Sequence, residues 1–208
     1  MANKVEFFFD LVSPYSYLAE TQIRQICQRS GGELRFRPFL LGGVFKASEN
    51  QAPLNVPAKG GYMTNDLEHW ASYYQIPLNF PRPFPFTTVA TMRAAFYAER
   101  EGKLDEFVRA AYETYWVDGE SPSGSDRGDE DAALKTAAGK TGLDPEQTLA
   151  AASEDEFKQA LTQNTEEAVE RGAFGAPTFF VTGNNGESDG EMFWGNDRLH
   201  FVERALKG

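Results

Sequence analysis

Hydrophobic and polar positions alternate between two periods along this chain, and the switches mark its elements. Residues 5–9, Val5-Glu6-Phe7-Phe8-Phe9, are mostly β-branched and aromatic and predict a buried strand. Ser13-Pro14 follows, an N-cap residue with proline at the first helical position, so a helix is expected to begin at Ser13. Tyr15, Leu18, Ala19, Gln22, Ile23, Ile26 and Cys27 recur with helical spacing until Gly31-Gly32 stops them. Residues 33–39 return to alternation, with Leu34, Phe36 and Pro38 on one face, and lead into a turn through Leu40-Leu41-Gly42-Gly43. Two strands joined by one helix should lie parallel, because the crossover is right-handed.

From Lys46 the periodicity fades, and the segment ASENQAPLNVPAKGGYM reads as an irregular connection. A helix is expected over 65–74, with Leu67, Trp70, Ala71 and Tyr74 on one stripe. The run Phe80-Pro81-Arg82-Pro83-Phe84-Pro85-Phe86 excludes both helix and inner strand. Helical patterns then fill 87–100, 104–116, 130–141, 145–152 and 155–171. Strand character returns at 177–182, followed by a Gly183-Asn184-Asn185-Gly186 turn, a hairpin partner at 191–194 and a last helix over 197–206. A β-α-β unit, a helical block and a β-β-α unit in that order make an α/β chain in the thioredoxin order. Residues 1–45 and 172–208 would form a discontinuous thioredoxin-like domain, with 46–171 as an inserted all-α domain.

Composition narrows the partners. The chain has 208 residues, 41% hydrophobic and 25% charged, which suits a soluble globular protein with a sizeable core, and its apolar runs are too short to cross a bilayer. Met1-Ala2-Asn3-Lys4 carries no apolar segment of the secretory kind, and the default expectation is a cytoplasmic location. A net charge of −11 argues against nucleic acid or an anionic membrane surface as partner. Part of that charge lies in DGESPSGSDRGDED, from Asp118 to Asp131, which lacks apolar residues and calcium-loop spacing and reads as a solvated loop. Cys27 is the only cysteine, so the chain has no internal disulfide and no Cys-x-x-Cys pair, and its neighbours Ile23 and Ile26 suggest a buried thiol. His69 and His200 fit no metal-ligand spacing, and no metal is expected.

Two places carry candidate chemistry. The free N–H groups and positive dipole end of the helix at Ser13, with its hydroxyl, favour an anion such as a thiolate, phosphate or carboxylate, although Ser13 is equally intelligible as a plain cap. Ala176-Pro177-Thr178 opens the third strand and is similar to the cis-proline segment that faces the active helix in the thioredoxin fold. A proline at the first residue of an edge strand accounts for it as well.

Ser13-Pro14-Tyr15-Ser16-Tyr17-Leu18-Ala19, Arg37-Pro38-Phe39-Leu40-Leu41-Gly42-Gly43, Gln75-Ile76-Pro77, Phe174-Gly175-Ala176-Pro177-Thr178 and Trp194-Gly195-Asn196-Asp197-Arg198 together resemble the 2-hydroxychromene-2-carboxylate isomerase and kappa-class glutathione transferase family, relatives of the DsbA oxidoreductases. The resemblance implies glutathione as cofactor. It makes Ser13 the catalytic residue, a hydrogen-bond donor to the glutathione sulfur assisted by the backbone around Pro14 and Tyr15. Ala176, before Pro177, would pair with the cysteinyl part, Asn196 and Asp197 would meet the γ-glutamyl end, and Asn55 would be a further contact.

A planar second substrate would be met by aromatics near the junction, including Phe45, Tyr62, Phe84 and Phe86, with Lys46 beside its carboxylate. Phe84 stands where some isomerases carry tyrosine. The implied activity is isomerisation of 2-hydroxychromene-2-carboxylate or a similar aromatic-degradation intermediate. Conjugation of electrophiles, reduction of hydroperoxides and non-catalytic glutathione binding are the alternatives, and a homodimer is the implied assembly.

Overall fold

In the computed structural model, residues 3–81, 84–119, 127–183 and 190–208 are described. The Asn184-Asn185-Gly186 part of the expected hairpin turn, residues 120–126 of the acidic stretch, and Arg82 and Pro83 lie outside the described residues. The aromatic run becomes β1 (Lys4–Phe9), the central partner of β2 (Glu33–Pro38) and β3 (Thr178–Thr182), and β4 (Glu191–Trp194) completes the order β2-β1-β3-β4. β1 runs parallel to β2 and antiparallel to β3, so segments far apart in sequence share one sheet. Both faces of β1 are covered, which is why its apolar residues do not alternate with polar ones. Phe7 stacks on Phe179 at 4.9 Å on one face, and Phe8 meets Phe180 at 5.5 Å on the other.

Around the sheet lie α1 (Pro14–Ser30), α2 (Leu41–Ala47), α3 (Pro57–Tyr74), α4 (Val89–Arg100), α5 (Leu104–Trp116), α6 (Arg127–Lys140), α7 (Pro145–Ala151), α8 (Asp155–Glu170) and α9 (Leu199–Lys207). Gly31 ends α1 in the left-handed region at φ +71°, as its glycine pair predicts. Three expectations are corrected. The turn expected at 40–43 is the start of α2, because the buried Asp10 carboxylate accepts the Leu41 N–H at 2.9 Å and so caps a helix that Leu40 cannot cap. Gly43 serves packing there, since a Cβ would come within 3.1 Å of Thr165 Cγ2. The irregular connection is largely helical: a 3₁₀ turn spans Pro53–Asn55 and α3 begins at Pro57, with Gly60 packed against Leu54. Of these glycines Gly43 alone is tightly packed, while Gly42 and Gly61 have open space where a Cβ would stand. Third, the last helix starts at Leu199 after a 3₁₀ turn, Asn196–Arg198, and neither Asn196 nor Asp197 caps it with a side chain.

The helical block reaches the sheet through aromatics: Phe86, Tyr112, Tyr115 and Trp116 share one core cluster with Phe7 and Phe9. On the opposite face Glu6 is 6% exposed and binds Arg37 at 2.6 Å and Arg171 at 3.0 Å, while the Arg171 guanidinium lies 3.8 Å from the Phe180 ring centroid. Burial pushes the Glu6 carboxyl up, but Arg171, Arg37 and Lys4 outweigh it and leave it below the ordinary value. A lowered folded-state pKa contributes stability above the unfolded value that is lost as pH falls through the folded one. Glu6→Gln should therefore cost about 2 kcal/mol at neutral pH. The gap between variant and wild type in urea melts should close as the pH drops below about 4, and a gap independent of pH would contradict the assignment.

Candidate functional site

The end of β1 delivers the chain to a tight turn, and Ser13 leaves it as the N-cap of α1 in extended conformation, φ −85° and ψ 114°. Its Oγ accepts from the Ser16 N–H at 3.2 Å and its hydroxyl donates to the Ala176 carbonyl at 3.3 Å, across 163 positions of sequence. Pro14 has no N–H to offer, and the Tyr15 amide, second in the helix, has no intrahelical acceptor. The Ala176-Pro177 peptide is cis, as is Phe84-Pro85. Pro177 precedes an inner strand rather than an edge strand, since β3 lies between β1 and β4.

The 3₁₀ turn closes the third side. The Gly195 N–H donates to the Pro177 carbonyl at 3.0 Å, which places Asn196 and Asp197 beside the cis-proline segment. Asn196 is 2% exposed, and its Nδ2 has no partner among the described residues. The exposed Asp197 carboxylate pairs with Arg198 at 2.5 Å. Gly195 sits at φ +102°, a conformation that favours glycine, and a Cβ there would also displace the Asp197 carboxylate. Ser13, Pro14, Ala176, Pro177, Asn196 and Asp197 thus gather at one junction.

Tyr15 turns toward α3, where its hydroxyl donates to Asp66 at 2.9 Å, and the Tyr62 hydroxyl reaches the other oxygen of the same carboxylate at 3.3 Å. Burial and Asp66 push the Tyr15 phenol up, so it stays neutral at physiological pH. Other expected contacts are not joined to this junction by any bond among the described residues. Asn55 is exposed on its 3₁₀ turn, and nearby Asn50 reaches the segment before the cis-proline, its Nδ2 donating to the Phe174 carbonyl at 2.8 Å. Lys46 is exposed in the last turn of α2. Phe84 is half-buried against Phe80 and Trp116, and Phe86 is core, stacked on Tyr115 at 5.1 Å. Phe45 is half-buried and Tyr62 is 68% exposed.

Sequence reasoning missed Asp66, Asn50 and Asp10. Asp66 and Asn50 carry no signal beyond their neighbours, whereas a carboxylate that ends a buried strand three residues before a helix cap marks Asp10. Cys27 lies at the far end of α1, about 20 Å along the axis from Ser13 at 1.5 Å per residue. Burial pushes its thiol up to about 12. Native protein should resist iodoacetamide at pH 8 and react with one equivalent in denaturant, and rapid native alkylation would show the burial to be wrong.

The fold and this junction define a thioredoxin-class protein whose active-helix position carries serine instead of a redox cysteine. The DSBA-like thioredoxin domain family matches residues 4–207. The chain is 35% identical over 212 residues to 2-hydroxychromene-2-carboxylate isomerase of Sphingobium xenophagum, with 99% of each chain covered. It is 32% identical to glutathione S-transferase kappa 1 of Caenorhabditis elegans, over 98% of this chain and 91% of the other. A solved 2-hydroxychromene-2-carboxylate isomerase superposes with a TM-score of 0.81 at 29% identity, covering 98% of this chain and 94% of that one. The chain belongs to the DSBA-like thioredoxin family, in its group of 2-hydroxychromene-2-carboxylate isomerases and kappa-class glutathione transferases.

Proposed function

We propose that this protein is a glutathione-dependent isomerase of 2-hydroxychromene-2-carboxylate or a similar aromatic-degradation intermediate. The observation that carries the reading is the Ser13 hydroxyl at the N-terminus of α1, in contact with the carbonyl before Pro177. Glutathione fits the groups present. Asn196 Nδ2 is a buried donor with no partner among the described residues, and the Asp197 carboxylate lies beside it, a pairing suited to the carboxylate and ammonium of a γ-glutamyl end. The backbone at Ala176 suits an extended peptide, which pairs through main-chain groups and makes little demand on side-chain identity.

When bound, glutathione supplies a thiolate that adds reversibly to the conjugated chain of the substrate and leaves a single bond free to rotate. On binding, the Ser13 hydroxyl turns from the Ala176 carbonyl, 3.3 Å away, to donate to the sulfur, which favours its ionised form, and the α1 dipole adds to this. Ser13 is not itself the nucleophile in this reading: among the described residues its hydroxyl bonds the Ala176 carbonyl and the Ser16 N–H, neither of which is a base that would activate it. Lys46 meets the substrate carboxylate and Phe84 the ring, so residues 1–45 and 172–208 hold most of the cofactor, with Asn55 as a further contact, while 46–171 contribute aromatic surface.

The test mixes protein, glutathione and 2-hydroxychromene-2-carboxylate and follows the spectrum of trans-o-hydroxybenzylidenepyruvate. Interconversion that requires glutathione and does not consume it is the expected result, and no interconversion would end the reading. The comparable identity to a kappa-class transferase favours a second reading. Loss of free thiol with 1-chloro-2,4-dinitrobenzene would mark that activity.

A further inference from the structure

Asp10 is 3% exposed and belongs to none of the groups assigned above. One carboxylate oxygen accepts from the Val12 N–H at 3.2 Å and from the Thr88 hydroxyl at 2.7 Å, and the other accepts from the Leu41 N–H at 2.9 Å. Its backbone carbonyl accepts from the Ser13 N–H at 3.0 Å and the Tyr112 hydroxyl at 3.3 Å, while the neighbouring Leu11 carbonyl accepts from Trp116 Nε1 at 2.8 Å. One buried residue therefore ties the Ser13 turn to the first residue of α2, the cap of α4 and the body of α5.

We propose that Asp10 is a positioning residue that holds Ser13 in register with α2 and the helical block, and so with the surfaces that meet the second substrate. The catalytic consequence rests on the isomerase reading, whereas the mechanical coupling does not. Carboxylate chemistry is required, because both oxygens face amide donors and the Thr88 hydroxyl adds a third. Asparagine offers one acceptor oxygen, and its NH₂ must oppose the N–H of either Leu41 or Val12. A buried donor facing a donor is left unsatisfied, and the segments joined through it loosen together. A misplacement on the order of 1 Å between reacting groups costs roughly 100-fold in rate.

Asp10→Asn and Thr88→Val are compared with wild type by hydrogen exchange and kinetics. In Asp10→Asn, exchange should rise about 10-fold or more in both 12–17 and 40–47, with β1 and β3 still protected. Glutathione binding by calorimetry should change less than about 3-fold while kcat/KM for isomerisation falls about 100-fold. Thr88→Val removes one donor of three and should raise exchange in the same two segments by a smaller factor.

Unchanged exchange, or a rise confined to one segment, overturns the coupling, and if Asp10→Asn does not fold, Thr88→Val alone decides by the same criterion. Full isomerase activity in Asp10→Asn overturns the catalytic part. Absence of activity in the wild type counts against the isomerase reading and the catalytic part together, and the exchange data still decide the coupling.

Discussion

Ser13→Ala is expected to lower glutathione-dependent turnover by about two orders of magnitude and to raise the pKa of the bound thiol. A single preorganised donor aimed at developing or resident negative charge is worth roughly 10² to 10³ in rate. A free thiol ionises near ~8.5, and each unit of lowering at the site is worth about 1.4 kcal/mol. Without the hydroxyl, the α1 dipole and the Tyr15 amide still favour the thiolate, so the loss is partial. The thiolate absorbance of bound glutathione, titrated with pH, should therefore shift upward along with the pH–rate profile. Ser13 also caps α1 through the Ser16 N–H, and alanine forfeits about 1 kcal/mol of stability there. Ser13→Thr separates the two roles, because it keeps hydroxyl and cap and should keep most of the activity. Full turnover in Ser13→Ala would place the sulfur elsewhere.

Trp116→Ala should be the costliest single change in the core, at about 3–5 kcal/mol. The side chain is fully buried, its ring meets Tyr17, Phe80, Phe84 and Phe86, and its Nε1 donates to the Leu11 carbonyl at 2.8 Å. Trp116→Phe keeps much of the packing but leaves that buried carbonyl without its donor, for about 1–3 kcal/mol. In a chain of this size each kcal/mol moves the melting temperature by roughly 2–4 °C, so the two variants should separate clearly by calorimetry. Equal losses would mean that the hydrogen bond, not the ring, carries the effect. Because the same indole holds the turn before Ser13, both variants should also depress turnover, the alanine more.

Strands and long helices were legible wherever one period ran uninterrupted. Leu104–Trp116 and Glu191–Trp194 fall where the pattern placed them, as do the Ser13 cap and the Gly31 stop. Misreadings concentrated at glycine. Gly43 sits inside a helix where the Thr165 side chain needs the space, Gly60 lies in the first turns of another, and local sequence does not distinguish a glycine that breaks a helix from one that lets another element approach. The start of α2 was hidden for a related reason: its cap is a side chain 31 positions away, on Asp10.

By itself the sequence determined the order of the strands and of the longer helices, the absence of a redox cysteine pair and the serine at the head of the first helix, because these depend on residue identity and spacing along the chain. The tertiary structure decided which residues share the junction. Ala176 meets Ser13 across 163 positions, Asn50 bonds the Phe174 carbonyl ahead of the cis-proline, and Asp10 joins three segments. Contacts of this kind follow from how strands pair and helices pack to bury the phenylalanine face of β1, and burial is shared by the whole chain rather than carried by any local pattern.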